Sequence, residues 1–247
     1  MDFPVGTFVP DTGRASTVKM VLAQARIESL LFLRHGEQQL LSLVIPMTML
    51  IALSTLPLIE DPLPKVFPLT LAISAMSSGF TGQSIGVAFD RRYGALKRMG
   101  ASGVPAWTII CGKIVAVLAV VTLQTVLLSG TALLLGWTVD PTTLFAAAVT
   151  LAFGVAAFAS LGLLFGGTLG SEMVLALANL IWFILLGTAS YVMLRGGSGL
   201  EWVPSVALAQ GLARAFDGGI PTLEIGVLAC WFLVGGISAS RFFRFTA

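Results

Sequence analysis

The sequence predicts an all-α integral membrane protein with six transmembrane helices. Three observations lead there. First, 56% of its 247 residues are hydrophobic and only 11% are charged, against about a quarter charged in soluble domains, and the mean hydropathy is +0.95. Second, the runs Val66 to Phe89 and Ile114 to Val139 carry no charge, and each exceeds the ~20 residues that span a hydrocarbon core as helix. Third, the stretch between them, Asp90 to Gly100, concentrates Arg91, Arg92, Lys97 and Arg98. A loop that basic between two spans belongs on the cytoplasmic side, and this sets the topology of the rest.

Composition also excludes. The net charge of +2 is spread over alternate loops, so no nucleic acid partner is expected. Cys111 and Cys230 lie inside apolar runs and read as small buried hydrophobes. With His35 as the one histidine, the chain lacks the ligands of a structural zinc site, and no metal site is expected. No apolar segment followed by a cleavage site opens the sequence, so a removed signal peptide is not expected.

Residues 1–37 read as a cytoplasmic tail followed by an interfacial helix. Pro4, Gly6, Pro10 and Gly13 keep the tail extended, and Ser16 or Thr17 can cap a helix running to about Arg34. Val18, Val21, Leu22, Ala25, Ser29 and Phe32 recur at helical spacing, with Lys19 and Arg26 on another face. That pattern suits an amphipathic helix in the membrane interface. The alternative is an early start of the first span, against which Arg26, Glu28, Arg34 and Glu37 argue, because each charge is costly at depth.

Residues 38–247 then form a single transmembrane domain with spans at about 38–59, 66–89, 107–135, 142–167, 173–194 and 221–240. Pro46 kinks the first span or frees a backbone carbonyl. In the second, Ser74, Ser78, Gly82 and Gly86 recur every four residues. Such a stripe lets two membrane helices approach closely; lining of a substrate path or a subunit interface is the other reading. Ser77, Thr81, Gln83 and Ser84 add polar groups beside it. Lys113 can snorkel to the inner interface, Gln124 sits at mid-span as an interhelical hydrogen-bonding amide, and Trp137 anchors the outer turn. The fourth span carries Gly162-x-x-x-Gly166, and the fifth carries Asn179. Ser205 to Phe216 is helical but too short to span. Glu224 falls at the outer end of the sixth span, and Arg241 and Arg244 among Phe242, Phe243 and Phe245 place the C-terminus inside.

Gly86, the charged segment Asp90-Arg91-Arg92-Tyr93-Gly94-Ala95-Leu96-Lys97-Arg98, Pro105 and Lys113 together resemble the permease of an ABC-2 type exporter. The resemblance implies an elbow helix at the N-terminus and an outer re-entrant hairpin at 205–216, where an ordinary amphipathic surface helix is the other reading. It also implies that Arg91, Arg92, Tyr93, Gly94, Leu96, Lys97, Arg98 and Met99 form a coupling segment docking on a separate ABC ATPase subunit. An orientation signal alone would explain the same charges. ATP and magnesium would sit on that ATPase, and a second permease chain, the same or related, would complete the unit. Ser74, Ser78, Thr81, Gln124 and Asn179 are the expected lining of a path for a hydrophobic drug-like or lipid-like cargo. The implied location is the plasma membrane, multi-pass, with both termini cytoplasmic.

Other chemistry finds little support. No phosphate-cradling Gly-x-x-x-x-Gly-Lys-Ser/Thr loop occurs, so the chain is not expected to be an ATPase or other enzyme, and no catalytic residue is assigned. Gly100-Ala101-Ser102-Gly103 matches the pattern of intramembrane serine proteases, but no span supplies a histidine to activate the serine. Carboxylates lie only at span ends, which disfavours an ion-coupled carrier. A carrier or channel not driven by ATP, or a membrane assembly protein, remains the alternative function.

Overall fold

The computed structural model describes residues 15–34, 36–57, 59–101, 103–138 and 140–242. The expected N-terminal tail, His35, Ser102 of the protease-like pattern, and the C-terminal Phe243, Arg244 and Phe245 lie outside them. The regular structure among the described residues is all helical, with no strand.

Helix α1 (Thr17–Arg34) is capped by Ser16, whose carbonyl accepts the Met20 N–H at 3.1 Å. It lies against α7 (Ala106–Leu134) and buries only Ala25 fully. Its closest contact sets Gln24 and the Val21 carbonyl on Gly112, where a Cβ would meet the Gln24 side chain at 2.5 Å. Val18, Leu22, Leu30 and Leu33 stay exposed beside Lys19 and Arg26.

A short α2 (Gly36–Gln39), a π-helical segment (Leu40–Val44) and α3 (Ile45–Thr55) follow one another. The break is chemical in origin. Pro46 has no N–H, so one carbonyl a turn before it loses its backbone donor. The Ser42 carbonyl accepts instead from Ser74 Oγ at 2.7 Å, and the Leu41 carbonyl from Ser77 Oγ at 3.1 Å.

Leu63 to Arg92 is one rod made of α4 (Leu63–Met76), a second π-helical segment (Ser77–Gly82) and α5 (Gln83–Arg92). Every residue from Val66 to Ser84 is buried, so this rod is the axle around which the other helices pack. The basic stretch turns at Tyr93 and Gly94, the glycine taking a left-handed φ of 68°, into the short α6 (Ala95–Ala101).

Helix α7 buries one stripe, Ile109, Lys113, Ala116, Val120, Gln124, Leu128 and Ala132, at helical spacing. A 3₁₀ turn (Pro141–Thr143), capped by Asp140 accepting from the Thr142 N–H, leads into α8 (Leu144–Thr168). Its glycines make the closest helix approach: a Cβ at Gly162 would meet the Gly79 carbonyl at 2.6 Å, and one at Gly166 the Ser84 carbonyl at 2.5 Å. Helix α9 (Ser171–Arg195) ends on Gly196 in the left-handed conformation. Then α10 (Pro204–Phe216) wedges among α4, α8, α9 and α11 (Thr222–Phe242).

Four helices are long and apolar enough to cross a membrane by length and composition: Trp107–Leu134, Pro141–Thr168, Ser171–Arg195 and Thr222–Phe242. These carry the third to sixth expected spans. The first expected span is represented by the shorter apolar helix Leu40–Thr55. The second lies on the enclosed axle, whose hydroxyls and amide face protein rather than lipid.

Several sequence expectations are corrected here. Cys230 is exposed on α11 and Cys111 is partly exposed, because the outer face of an apolar helix takes small hydrophobes as readily as the core does. Trp137 meets Phe67 at a tilt (4.4 Å) and Phe216 edge-on (5.0 Å), contacts that no sequence spacing announces. Glu224 is buried and pairs with Arg214 at 3.2 Å. The segment 204–216 is no surface helix, since most of its residues from Pro204 to Ala215 are buried.

Candidate functional site

The basic stretch has an inner and an outer half. Arg91 is buried, and its Nη1 donates to the Gly166 and Leu169 carbonyls at 2.9 and 3.0 Å. Those carbonyls are the orphaned acceptors at the C-terminus of α8, where a cation is favoured by unpaired acceptors and by the helix dipole. Arg92 pairs with Glu172 and donates to Ser171 Oγ at 3.2 Å, its guanidinium 5.9 Å from the Phe89 ring. Both arginines therefore tie the loop to the α8–α9 turn of the same chain. Leu96 is only 1% exposed and packs with Val87, Ile109, Leu163 and Ala239, while Met99 is half-buried against that cluster.

What faces outward is Tyr93, Lys97 and Arg98, with the Arg98 guanidinium folded back onto the Tyr93 carbonyl at 2.9 Å. Gly94 supplies the turn that separates the two halves. Of the eight residues expected in the coupling segment, Arg91 and Leu96 thus point into the chain's own bundle. Sequence reasoning missed this because a basic residue at a loop reads as solvated unless a helix end is known to stand opposite it.

A second cluster stands where α1, α5 and α7 meet. Lys113 Nζ donates to Glu28 Oε1 at 2.6 Å and to Asp90 Oδ2 at 2.7 Å. Gln24 Nε2 donates to Glu28 Oε1 at 2.7 Å, and Gln83 Nε2 to the Lys113 carbonyl at 3.2 Å. Lys113 is almost wholly buried, so the expected snorkelling to an interface does not occur; its partners come to it. A buried ammonium is tolerable because two carboxylates neutralise it. Glu28 belongs to α1, and no spacing in the sequence announces that α1 folds back onto α7.

The third group is a polar network in the heart of the bundle. Gln124 Oε1 accepts from Ser74 and Ser78, each at 2.9 Å, and Gln124 Nε2 donates to Ser42 Oγ at 2.9 Å. Trp182 Nε1 donates to Ser77 Oγ at 2.7 Å. One amide and one indole so join α7 and α9 to the two π-helical segments. Ser74, Ser78 and Gln124 are consumed in these bonds. Asn179 bonds within its own helix, to the Leu175 carbonyl at 3.0 Å. Of the five residues expected along a substrate path, Thr81 lines the cleft between α1, the axle and α7, and the other four do not.

That cleft, about 480 Å³, lies between α1, the axle and α7. Lys113, Glu28 and Asp90 form its charged end, and Phe32, Leu41, Ile85 and Val120 are among its apolar walls. Among the described residues, no group of three or more histidine, cysteine or acidic side chains is placed to hold a metal.

Apolar helices outside and hydrogen-bonded side chains inside define the class: a multi-pass helical membrane protein. The chain belongs to the ABC-2 type transporter family, whose model matches residues 20–219, from α1 to the end of α10. A search of curated proteins found no match. The domains of this family are membrane subunits of transporters, and the resemblance carried by the basic stretch and Lys113 leads to the same family.

Proposed function

We propose that this chain is the membrane-spanning permease subunit of an ATP-driven exporter, moving a hydrophobic drug-like or lipid-like cargo out of the cytoplasm or the inner leaflet. In this reading residues 38–247 form one transmembrane domain with six crossings: α2 with α3, the axle, α7, α8, α9 and α11. Both termini are cytoplasmic, the membrane is the plasma membrane, and α1 is the interfacial elbow. Helix α10, too short to cross at 13 residues and enclosed by four neighbours, is the outer re-entrant piece. ATP and magnesium belong to separate ATPase subunits, and a second permease chain completes the unit.

The observation that carries the proposal is the two-sided build of the basic stretch. Leu96 and Arg91 root it in the bundle, while Tyr93, Lys97 and Arg98 are presented outward. A push on that outer face would pass directly to α8 through the Arg91 contacts, and to the axle of which Arg91 is part. An orientation signal alone needs the charges but not the root. In a docking surface of this kind, charges set register and exposed aromatic groups supply contact.

The test is co-purification of the chain with an ABC ATPase encoded by the same host. The Lys97→Glu variant alters one exposed group outside the cleft, so the purified permease should melt unchanged while ATPase capture and cargo efflux are lost. Unaltered efflux in that variant would sink the proposal and favour a carrier or channel not driven by ATP.

A further inference from the structure

We propose that the cleft between α1, the axle and α7 binds a cationic amphiphile, its amine or quaternary ammonium head beside Glu28 and Asp90 and its apolar body along Phe32, Leu41 and Val120. The inference concerns binding by this chain itself and does not rest on an ATPase partner.

Charge is the first argument. At the polar end two carboxylates face a single ammonium, Lys113, and no other basic residue lines the cleft among the described residues. Lys113 is buried behind its partners, whereas the side chains of Glu28 and Asp90 keep 19% and 31% of their surface exposed. An approaching group therefore meets the outer edges of two carboxylates. A cation is attracted there and an anion repelled. Tyr93 lines the same end and offers an aromatic face, whereas the neighbouring Phe89 ring already lies 5.9 Å from the Arg92 guanidinium. Aromatic rings beside carboxylates make a favourable setting for an organic cation.

Thr81 supplies a second, independent argument. Hydroxyls inside a helix normally donate to the carbonyl a turn earlier, as Thr48, Thr55 and Thr122 do in this chain. Thr81 sits in the π-helical segment Ser77–Gly82, where that ladder is displaced. Its hydroxyl is buried and has no hydrogen-bond partner, while the residue itself stands in the cleft wall. Leaving such a group unpaired is costly, and π-helical insertions in α-helices concentrate at functional sites. A turn of the Thr81 side chain toward a polar ligand atom in the cleft would relieve it.

Size is the third. The volume of about 480 Å³ falls in the range of small-molecule pockets, about 300–1,000 Å³. It suits one drug-sized body better than a two-chain lipid. Gly86 lines the cleft with nothing within 4 Å of where its Cβ would stand, so the space beside it is open.

The experiment is equilibrium binding of tetraphenylphosphonium, compared with tetraphenylborate, to the full chain in nanodiscs, with protein-free discs as blank. The two ions match in shape and apolar surface and differ in sign. Saturable binding of the phosphonium alone is expected. Asp90→Asn should weaken it about tenfold, the worth of one close charge contact. Because Asp90 also holds Lys113, a second variant leaves every charge in place: Gly86→Leu fills the open space and should abolish binding with no loss of melting temperature. Equal saturable binding of both ions, or undiminished binding to Gly86→Leu, would overturn the inference. So would binding present in phosphatidylglycerol discs but abolished in phosphatidylcholine discs, which would assign the cleft to the lipid trimethylammonium group. ATPase capture without phosphonium binding would refute this inference and leave the permease reading standing; phosphonium binding without ATPase capture would do the reverse.

Discussion

From Val66 to Ser84 the axle is buried at every position, although it carries Thr70, Ser74, Ser77, Ser78, Thr81, Gln83 and Ser84. Helix α9 is its opposite: its apolar Leu180, Phe183, Ile184 and Tyr191 all face outward. Here the polar helix is enclosed and the apolar one is outside, because lipid is as apolar as a leucine side chain and gives helices no hydrophobic reason to associate. Close packing and hydrogen bonds must hold them instead, so the polar and small residues mark the interior.

Glycine makes the largest separation between the two regions. Gly166→Leu would drive its side chain into the Ser84 carbonyl and Val87 of the axle, where backbone cannot yield. We expect a loss at or above the ~3 kcal/mol upper end of overpacking, read as disappearance of the folded peak in gel filtration. Gly187→Leu on α9, with open space around it, should leave that peak intact. Equal damage at both sites would break the comparison.

Lys113→Met comes next. It strands Glu28 and Asp90 at the joint of α1 and α7, and because both carboxylates keep some solvent we expect ~2 kcal/mol, below the ~3–5 of a fully buried pair. Lys97→Met, on the exposed face of the basic stretch, should leave the melting temperature unchanged. Gln124→Leu should cost ~1–2 kcal/mol, the scale of interhelical hydrogen bonds in membranes. Combined with Ser78→Ala the loss should be less than additive, since the two share one bond.

The smallest effect lies outside the bundle, in the connection from α9 to α10. The Glu201 carboxyl is held below its usual value of 4.5 by its own backbone N–H and by that of Gly199, which donates at 2.9 Å. A depressed carboxylate contributes order above its ordinary pKa and loses it as pH falls through the lowered value. The neighbouring Trp202, whose indole donates to the Gly199 carbonyl at 3.2 Å, should report this as a fluorescence change below about pH 4.5. Glu201→Gln should remove that change and leave global melting untouched.

Much of the fold was legible because span length and charge placement are local properties. The helices at Ala106–Leu134, Leu144–Thr168, Ser171–Arg195 and Thr222–Phe242 follow from uninterrupted apolar runs and the breakers between them. The basic stretch and its glycine turn could be read from composition alone. Pro46 announced a freed carbonyl, and the chain indeed has one at Ser42. The candidate site was less legible. Nothing near Arg91 in sequence says that the end of α8 stands opposite, and nothing near Lys113 says that Glu28 arrives from α1.

By itself, then, the sequence determined that this chain is helical, has the composition of a membrane protein and carries one concentrated basic loop, since hydrocarbon solvation acts on each segment separately. Tertiary structure alone decided which polar groups are spent on one another, as Ser74 and Ser78 are on Gln124, and which remain over a cleft, as Thr81 does. The reason is physical: a hydrogen bond or ion pair needs its partner within about 3 Å, and only the packing of residues far apart in the chain sets that distance.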